Sequence, residues 1–137
     1  MSKGFYNIPI AVNEPVREYI PGSKEREELL SEYKKMYNKK IDIPMYIGDK
    51  KVFTNDKRNL SPPHEHNHII GTSNYGNKKD VDIAIKAAMK ARKKWVNMSW
   101  EHRASIFLKA ADLLAGPFRA KLNAATMLAQ SKNVMQA

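Results

Sequence analysis

Three of the four histidines of this sequence lie in one short stretch, SPPHEHNHIIG, at residues 61–71. His64, His66 and His68 alternate with other residues, so in an extended strand their side chains would share one face. The outer pair would then lie roughly 13 Å apart, whereas zinc bonds imidazole nitrogen at about 2.1 Å, so all three cannot readily reach one ion. A neighbouring pair could bind a metal only with ligands from elsewhere, and His102 is not spaced to supply one. The pattern therefore favours a turn over a metal site.

The basic run KARKK, at Lys90–Lys94 next to Trp95, is the best candidate for nucleic-acid binding, because a recognition helix displays its basic side chains outward. The same helix carries a strong apolar stripe that includes Trp95, so a solvated helix face is the favoured interpretation. Ser99, Ser105 and Ser131 are interpreted as helix caps or helix residues and not as nucleophiles. No glycine-rich loop follows a predicted strand. The residues alone therefore predict no catalytic, cofactor-binding or metal-binding position.

The composition limits the class of protein. With 137 residues, 42% of them apolar, the chain suits one domain with a single core. No apolar run approaches the about 18 residues that span a bilayer, and no apolar segment follows a charged start as in a secretory signal. The absence of cysteine excludes a disulfide framework, a thiolate zinc site and a cysteine nucleophile within these residues. The net charge of +10 raises the expectation of contact with phosphates or anionic surfaces, although solvated lysines are the favoured explanation.

The first part of the sequence predicts an arm and then a helix. Residues 1–22 should be extended, because Pro9, Pro15 and Pro21 bias the residues before them away from helix. An arm this apolar is expected to lie on another part of the protein. Its apolar residues are Ile8, Ile10, Val12, Val16 and Ile20. The helix should follow from the cap Ser23 and carry one apolar stripe. The stripe consists of Leu29, Leu30, Tyr33, Met36 and Tyr37.

Two β-hairpins are predicted after this helix. In Ile43–Thr54, two β-prone runs flank the turn Gly48–Lys50, where glycine can take a positive φ. Arg58–Gly76 should form the second hairpin, with Ile69 and Ile70 in its returning strand. Because prolines cannot serve a central strand, its proline-containing connection is expected at an edge or a tip.

Three helices are predicted from Asp80 onward, with Asp80 and Ser99 as the caps of the first two. Gly116 should end the second helix, and Pro117 should open the third, which runs to about Gln130. The apolar positions of the first two helices are Val81, Ile85, Ala88, Trp95, Ala104, Phe107, Leu108, Ala111, Leu114 and Ala115.

Residues 131–133 are typical of the cap of a further helix that would begin at Val134. The sequence ends at Ala137, one turn later, whereas isolated helices need on the order of a dozen residues to be marginally stable. We therefore expect the sequence to be truncated at its C-terminus.

Residues 95–137, WVNMSWEHRASIFLKAADLLAGPFRAKLNAATMLAQSKNVMQA, resemble the N-terminal helical region of the aldehyde dehydrogenase superfamily. Within them, the part from Phe107 onward is similar to the 1-pyrroline-5-carboxylate dehydrogenases, also called L-glutamate γ-semialdehyde dehydrogenases. These have a Gly-Pro between the two helices and a T-M-x-x-Q-x-K-x-V-x-Q-A run. The motifs NEPV, GSKEREEL and I-P-x-x-I-G-D-K-x-V, and the pair His66 and His68, resemble the same subfamily. The resemblance thus covers nearly the whole sequence.

The resemblance implies an α+β fragment with an extended N-terminal arm, one helix, two β-hairpins and then three consecutive helices, part of a larger α/β aldehyde dehydrogenase fold. Residues 1–22 would be the arm, and residues 23–137 the incomplete N-terminal part of the NAD-binding domain. Members of the subfamily oxidise glutamate γ-semialdehyde to glutamate with NAD in proline breakdown. Their cysteine nucleophile and glutamate base lie downstream of these residues, so no catalytic or cofactor-binding residue carries over. This chain alone is expected to be an inactive scaffold that binds no NAD and exposes apolar patches.

The resemblance also implies three further properties. The partner would be the remainder of the dehydrogenase chain, the full-length enzyme would form homo-oligomers, and the location would be the mitochondrial matrix, although no transit peptide is visible. Neither a nucleic acid nor a membrane span is expected. Two alternatives stay open, namely a small interaction protein that pairs with a full-length dehydrogenase and a basic nucleic-acid-binding domain.

Overall fold

The computed structural model describes residue 7 and residues 9–137. Within that part of the chain it has four helices and five strands. These are α1 (Lys24–Asn38), β1 (Ile41–Ile43), β2 (Met45–Ile47), β3 (Lys50–Val52), β4 (Lys57–Leu60), β5 (Gly71–Asn74), α2 (Lys78–Asn97), α3 (Trp100–Ala115) and α4 (Arg119–Gln130). The predicted α+β order of one helix, two hairpins and three helices is confirmed.

The buried core lies where α1 packs against α4. Ser23 caps α1 as predicted, because its side chain accepts a hydrogen bond from the Arg26 N–H. The core consists of Tyr19, Leu29 and Ala124, with Tyr33, Met36, Met127 and Val134 packed around it. The predicted stripe on α1 is correct at Leu29 but wrong at Leu30, which is 42% exposed. One residue further along a helix is about 100° further round, so Leu30 points away from α4.

The arm lacks helix and strand over residues 9–20, and its apolar side chains are not covered by the described residues. Ile10, Val12 and Val16 are 85–89% exposed, so among the described residues nothing covers them, and the expectation that the arm lies on another part of the protein stays a prediction for these three. Ile8 lies outside the described residues. The sequence pattern pointed to the aliphatic residues of the arm, whereas its buried residue is aromatic.

Tyr19 attaches the arm to the helices. Its ring is buried, its carbonyl accepts a hydrogen bond from Arg26 Nη1 at 3.1 Å, and its hydroxyl accepts one from Asn123 Nδ2 at 3.1 Å. Arg119 Nη1 also donates to the Pro15 carbonyl at 2.7 Å. The contacts with Asn123 and Arg119 join residues 104 positions apart and close the arm onto α4, whereas the contact with Arg26 is local and holds the arm to the start of α1.

Both predicted hairpins form. β2 and β3 pair antiparallel around Gly48, whose φ of 63° requires the conformational freedom of glycine. β4 and β5 also pair antiparallel. The returning strand begins at Gly71, so the prediction that Ile69 and Ile70 belong to it is wrong. They end the preceding connection, where the Ile70 N–H donates to the Leu60 carbonyl at 2.9 Å.

β1 pairs parallel with β5, which the sequence did not predict, and the resulting sheet has the order β1–β5–β4. Gly71 makes this pairing possible. A Cβ atom at that position would lie 2.5 Å from the Ile41 carbonyl oxygen, closer than real Cβ contacts allow. The absent side chain therefore lets the two strands approach.

The ends of the last three helices differ from the predictions at two places. Asn77, and not Asp80, caps α2; Asp80 instead accepts from the Asn77 N–H and completes a capping box. Ser99 caps α3 and Gly116 ends it, as predicted. Pro117 does not open α4, since it lies in the turn before the first helical residue, Arg119.

The predicted exposure of apolar surface on α2 and α3 is confirmed. Neither helix has a fully buried residue. Their exposed large apolar side chains are Val81, Ile83, Ile85, Met89, Trp95, Val96, Trp100, Ile106, Phe107, Leu108 and Leu114. Among the described residues, no helix combines the length and apolar character needed to cross a membrane.

Candidate functional site

One side of the histidine turn, residues 61–70, contacts the end of α1. The ring of His68 stacks on Tyr37 with centroids 3.9 Å apart, and its Nε2 lies 2.8 Å from the Tyr37 carbonyl oxygen. The Tyr37 hydroxyl donates to Glu65 Oε2 at 2.7 Å. That hydrogen bond is the main reason why the pKa of the Tyr37 phenol is raised, and desolvation and the negative charge of Glu65 act in the same direction. His68 therefore holds a turn against a helix.

The other side of the turn contacts the end of α4. Ser131 Oγ lies 2.7 Å from His64 Nδ1 and accepts a hydrogen bond from the His64 N–H at 3.1 Å. Ser131 is the C-cap of α4 and has a φ of 54°, which is uncommon for a residue other than glycine. The two contacts with His64 hold this left-handed residue in place. His64 thus joins positions 67 residues apart.

The histidines do not converge. His64 points to Ser131, His68 points to Tyr37, and His66 is exposed. Within the described residues, no three histidine, aspartate or glutamate side chains are arranged to hold a metal ion. The geometry supports the interpretation of the stretch as a turn, with the added result that it joins α1 to α4.

A buried asparagine connects the two sheets. Asn74 is 7% exposed, and its Oδ1 accepts a hydrogen bond from the Thr54 N–H at 2.7 Å. Its Nδ2 donates to Asp42 Oδ1 at 2.6 Å and to the Ile43 carbonyl at 2.9 Å. A buried amide is stable only when its polar atoms are paired, as they are here. No pattern in the sequence indicated this group, because its members lie 20–32 residues apart along the chain.

Asp42 is the charged member of this network. It forms an ion pair with Lys57 Nζ at 2.5 Å and accepts a hydrogen bond from Thr72 Oγ1 at 3.0 Å. The hydrogen bond from Lys57 is the largest cause of the lowered pKa of Asp42. Desolvation, the next largest effect, opposes it, and the hydrogen bonds from Thr72 and Asn74 lower the pKa further. Asp42 therefore supports the β1–β5–β4 sheet in its charged form.

This lowered pKa predicts a pH dependence of stability. A carboxyl group whose folded pKa lies below its unfolded value of about 3.9 stabilises the fold above that pH and loses the effect as the pH falls through the folded pKa. Asp42→Asn should therefore flatten the fall in the free energy of unfolding below about pH 4, measured by urea titration at several pH values. Asp49→Asn, in the exposed hairpin turn, should keep the slope of the parent chain. Parallel curves for Asp42→Asn and the parent would contradict this assignment.

The serines have structural roles, as predicted. Ser99 Oγ accepts from the His102 N–H at 3.4 Å, and Ser105 Oγ donates to the His102 carbonyl at 2.8 Å. Ser131 binds His64. Ser131 lies beside a base, His64, but among the described residues no third group hydrogen-bonds to that imidazole to position it, which a nucleophilic serine would need. In that part of the chain, Ser99 and Ser105 bind only the backbone of His102.

The final residues form a capped helical turn, as the sequence predicted. Asn133 Oδ1 accepts from the N–H groups of Met135 and Gln136 at 3.0 and 3.1 Å. Gln136 Oε1 accepts in return from the Asn133 N–H at 3.0 Å. This reciprocal pair is a capping box, which marks a helix start.

The basic run on α2 is exposed, and Trp95 faces α3. The rings of Trp95 and Phe107 meet edge to face with centroids 6.4 Å apart. Trp95 therefore serves the contact between two helices, as its place on the apolar stripe suggested. Lys90–Lys94 lies on a solvated helix face.

The start of α2 does not fit a dinucleotide. Such a ligand binds where a glycine-rich turn leads from a strand to a helix whose free N–H groups hold its phosphates. Here β5 leads to α2 through Tyr75, Gly76 and Asn77. Asn77 Oδ1 already accepts from the Lys79 N–H at 2.8 Å, and the carboxylate of Asp80 at this end would repel a phosphate. We assign no cofactor contact to it.

Comparison with known proteins gives consistent matches over most of the chain. The model of the aldehyde dehydrogenase family matches residues 53–137. The chain is 41% identical over 133 residues to Delta-1-pyrroline-5-carboxylate dehydrogenase of Agaricus bisporus, which covers 96% of this chain and 24% of the relative. It is 42% identical over 136 residues to the mitochondrial enzyme of that name from Danio rerio, which covers 98% of this chain and 24% of the relative.

A solved structure agrees with these relatives. The Delta-pyrroline-5-carboxylate dehydrogenase of Mycobacterium tuberculosis, bound with NAD and cobalamin, superposes with a TM-score of 0.93 at 38% identity. The superposition covers 98% of this chain and 25% of that protein. The chain thus spans about a quarter of the length of the relatives it matches, and nearly all of its own residues take part in the superposition.

Proposed function

This chain belongs to the aldehyde dehydrogenase family, and we propose that it forms the amino-terminal portion of a 1-pyrroline-5-carboxylate dehydrogenase. The enzyme would oxidise glutamate γ-semialdehyde to glutamate in proline breakdown, with NAD as the hydride acceptor. The observation that carries the proposal is the superposition on the Mycobacterium tuberculosis enzyme at a TM-score of 0.93 over 98% of this chain. At 38% identity, a match over arm, sheets and helices together supports a shared subfamily as well as a shared fold.

The role of these residues within the enzyme is structural. The 137 residues contain no cysteine, so the thiolate nucleophile that the family uses belongs to another part of the enzyme. We likewise place the contacts with NAD in another part of the enzyme, and the start of α2, which does not fit a dinucleotide, supports this placement. We assign the role of an extended arm to residues 9–22, whereas residues 1–6 and 8 of the expected arm lie outside the described residues. Residues 23–137 would be the first part of the NAD-binding domain. We assign no step of the reaction to them.

The partner is the remainder of the dehydrogenase chain. α3 has one polar face, and the rest of its circumference carries mainly apolar side chains, which is a wide apolar surface for a helix. The polar face consists of Glu101, His102, Ser105, Lys109 and Asp112. Within the described residues, however, Ile106, Phe107 and Leu114 are roughly half exposed or more. Contiguous apolar surface of this kind marks an interface. The remaining three quarters of the enzyme would cover it.

The proposal extends to location and assembly. The name of the Danio rerio relative places that protein in mitochondria. We assign the same compartment, specifically the matrix, to the enzyme that contains this chain, and we expect that enzyme to form homo-oligomers. Import assays and mass measurement of the full-length enzyme would test the two assignments separately.

A second candidate is an interaction protein that binds a full-length dehydrogenase. The same exposed side chains on α3 favour it, because they could pack on a separate relative as well as on the remainder of one chain. This candidate predicts that the purified 137-residue chain changes the activity of an intact relative or purifies with it. If neither effect is seen, the second candidate is rejected and the first proposal stands.

A chimera tests the first proposal. In the chimera, this chain replaces the matching quarter of the Danio rerio enzyme. We expect the chimera to reduce NAD with glutamate γ-semialdehyde at a rate within about tenfold of that enzyme. A tenfold loss corresponds to an activation free energy raised by about 1.4 kcal/mol through slight misplacement of the active site. The readout is NADH absorbance. The 137-residue chain alone should produce none.

The controls use the core of the chain. A chimera with Leu29→Asp should fail to fold and lose activity, because it buries an unpaired charge. A chimera with Leu30→Asp should keep its activity, because that charge lies at an exposed position of the same helix. A folded but inactive chimera would refute the assignment to this subfamily. NAD reduction by the 137-residue chain alone would refute its structural role.

A further inference from the structure

α2 carries a row of lysines along one face, which we call the lysine stripe. It consists of Lys79, Lys86, Lys90, Lys93 and Lys94. At about 100° per residue these positions fall in one arc roughly 100° wide, and the stripe is roughly 22 Å long. All five side chains are exposed, and no ion pair among the described residues includes any of them. Asp82 lies beside the end that contains Lys79. No acidic residue lies between Lys86 and Lys94, so that part of the stripe is a continuous positive surface.

The stripe lies beside the surface with which α2 packs and shares no residue with it. α2 contacts the β2–β3 hairpin. A Cβ atom at Gly48 would lie 3.4 Å from that of Ala87, which is half-buried together with Ala84. Because lysine is almost never fully buried without a partner, the stripe remains at the surface when other parts of the enzyme cover the apolar side chains of the helix.

We propose that the lysine stripe is a docking surface for a membrane that contains anionic phospholipids. Ammonium groups on one face of a helix can all approach such a surface, where each contributes attraction independently of sequence. Ile83 falls within the same arc and is 54% exposed. An apolar side chain among lysines is typical of a helix that rests in the headgroup region. This inference does not depend on the dehydrogenase assignment.

A membrane fits the stripe better than a nucleic acid does. Arginine and aromatic side chains make the contacts with bases, and the nearest ones on this helix are Arg92 and Trp95. Both fall outside the arc of the stripe, and Trp95 is engaged with Phe107. Ile83 would gain nothing against phosphates but gains burial in a lipid headgroup layer. The charge and the apolar contact together therefore favour lipid.

Vesicle sedimentation of the purified 137-residue chain tests the proposal. The parent chain should bind vesicles of equal parts phosphatidylcholine and phosphatidylserine, should not bind pure phosphatidylcholine, and should release as salt rises. The stripe variant replaces Lys79, Lys86, Lys90 and Lys93 by glutamine. At about fivefold per lysine, it should lose roughly 600-fold in affinity. The corresponding change of the same four residues to arginine keeps the charge and should bind like the parent.

A matched control separates the stripe from net charge. It carries the same number of lysine-to-glutamine changes at exposed positions on α1, its C-cap, α3 and α4, namely Lys34, Lys39, Lys109 and Lys121. It should bind the anionic vesicles within about tenfold of the parent, because its charges are away from the contact surface. Ile83→Ser should weaken vesicle binding and leave binding to a DNA duplex unchanged.

Three results would overturn the proposal. The first is failure of the parent chain to bind the anionic vesicles at low salt. The second is an equal loss of affinity in the stripe variant and the matched control, which would reduce the effect to net charge. The third is tighter binding of the parent to a DNA duplex than to the vesicles, with Ile83→Ser without effect on either. Circular dichroism confirms that each variant keeps its helices.

Discussion

We expect Leu29→Ala to lower the free energy of unfolding of the 137-residue chain by about 2–5 kcal/mol. Leu29 is 3% exposed and packs with Tyr19 and Ala124 where α1 meets α4. Its truncation removes buried methyl groups and leaves a cavity in a small core. A domain of this size has few kilocalories to lose, so the helical circular dichroism should melt at a much lower temperature or urea concentration.

The neighbouring Leu30→Ala is the matched control. It removes the same atoms from the same helix at a position that is 42% exposed, so the loss should be well below that of Leu29→Ala. Both substitutions place alanine in a helix, so helix propensity cannot explain a difference between them. Equal losses would show that α1 is not held by its packing on α4.

The second large effect is expected for Gly71→Ala. The new Cβ atom would lie 2.5 Å from the Ile41 carbonyl oxygen and 2.9 Å from Ile41 Cγ1, so β1 must move away from β5. We expect a loss of about 1–3 kcal/mol in the free energy of unfolding, measured by urea titration, because overpacking against a backbone atom cannot be relieved by a side-chain rotation.

Hydrogen exchange would localise this effect. The Ile41 N–H, which donates to the Ile70 carbonyl at 3.2 Å, should exchange faster in Gly71→Ala, while the β2–β3 hairpin keeps its protection. Ser73→Ala, in the same strand, adds no atom and serves as the control. Unchanged exchange at Ile41 would mean that the parallel pairing of β1 with β5 is not present in solution.

The local structure follows closely from the sequence. The caps Ser23 and Ser99, the stop at Gly116 and the hairpin turn at Gly48 were all predicted, because each depends on hydrogen bonds or dihedral angles within a few residues. The cap of α2 was assigned to Asp80 instead of Asn77. Both residues belong to one capping box, so the residue types alone do not distinguish the cap from its partner.

The candidate site was predicted less completely. Spacing showed that three alternating histidines suit a single metal ion poorly, and that conclusion needed only strand geometry. It could not show that His64 binds Ser131 or that His68 stacks on Tyr37, because these partners lie 67 and 31 residues away. The Asn74 network was missed for the same reason. Its members have no common spacing, and each would look like an ordinary polar residue of a strand or loop.

By itself, the sequence determined the kinds of elements, their order, the caps of α1 and α3, the family resemblance and the basic run Lys90–Lys94. These depend on local dihedral preference, on the 3.6-residue period of a helix and on residue identity, which act over short distances along the chain. The tertiary structure decided that β1 pairs parallel with β5, that Tyr19 and not the aliphatic residues of the arm is buried, and that the histidine turn joins α1 to α4. Such contacts depend on which distant segments can approach without a clash, as at Gly71, and that is a property of the whole packing arrangement.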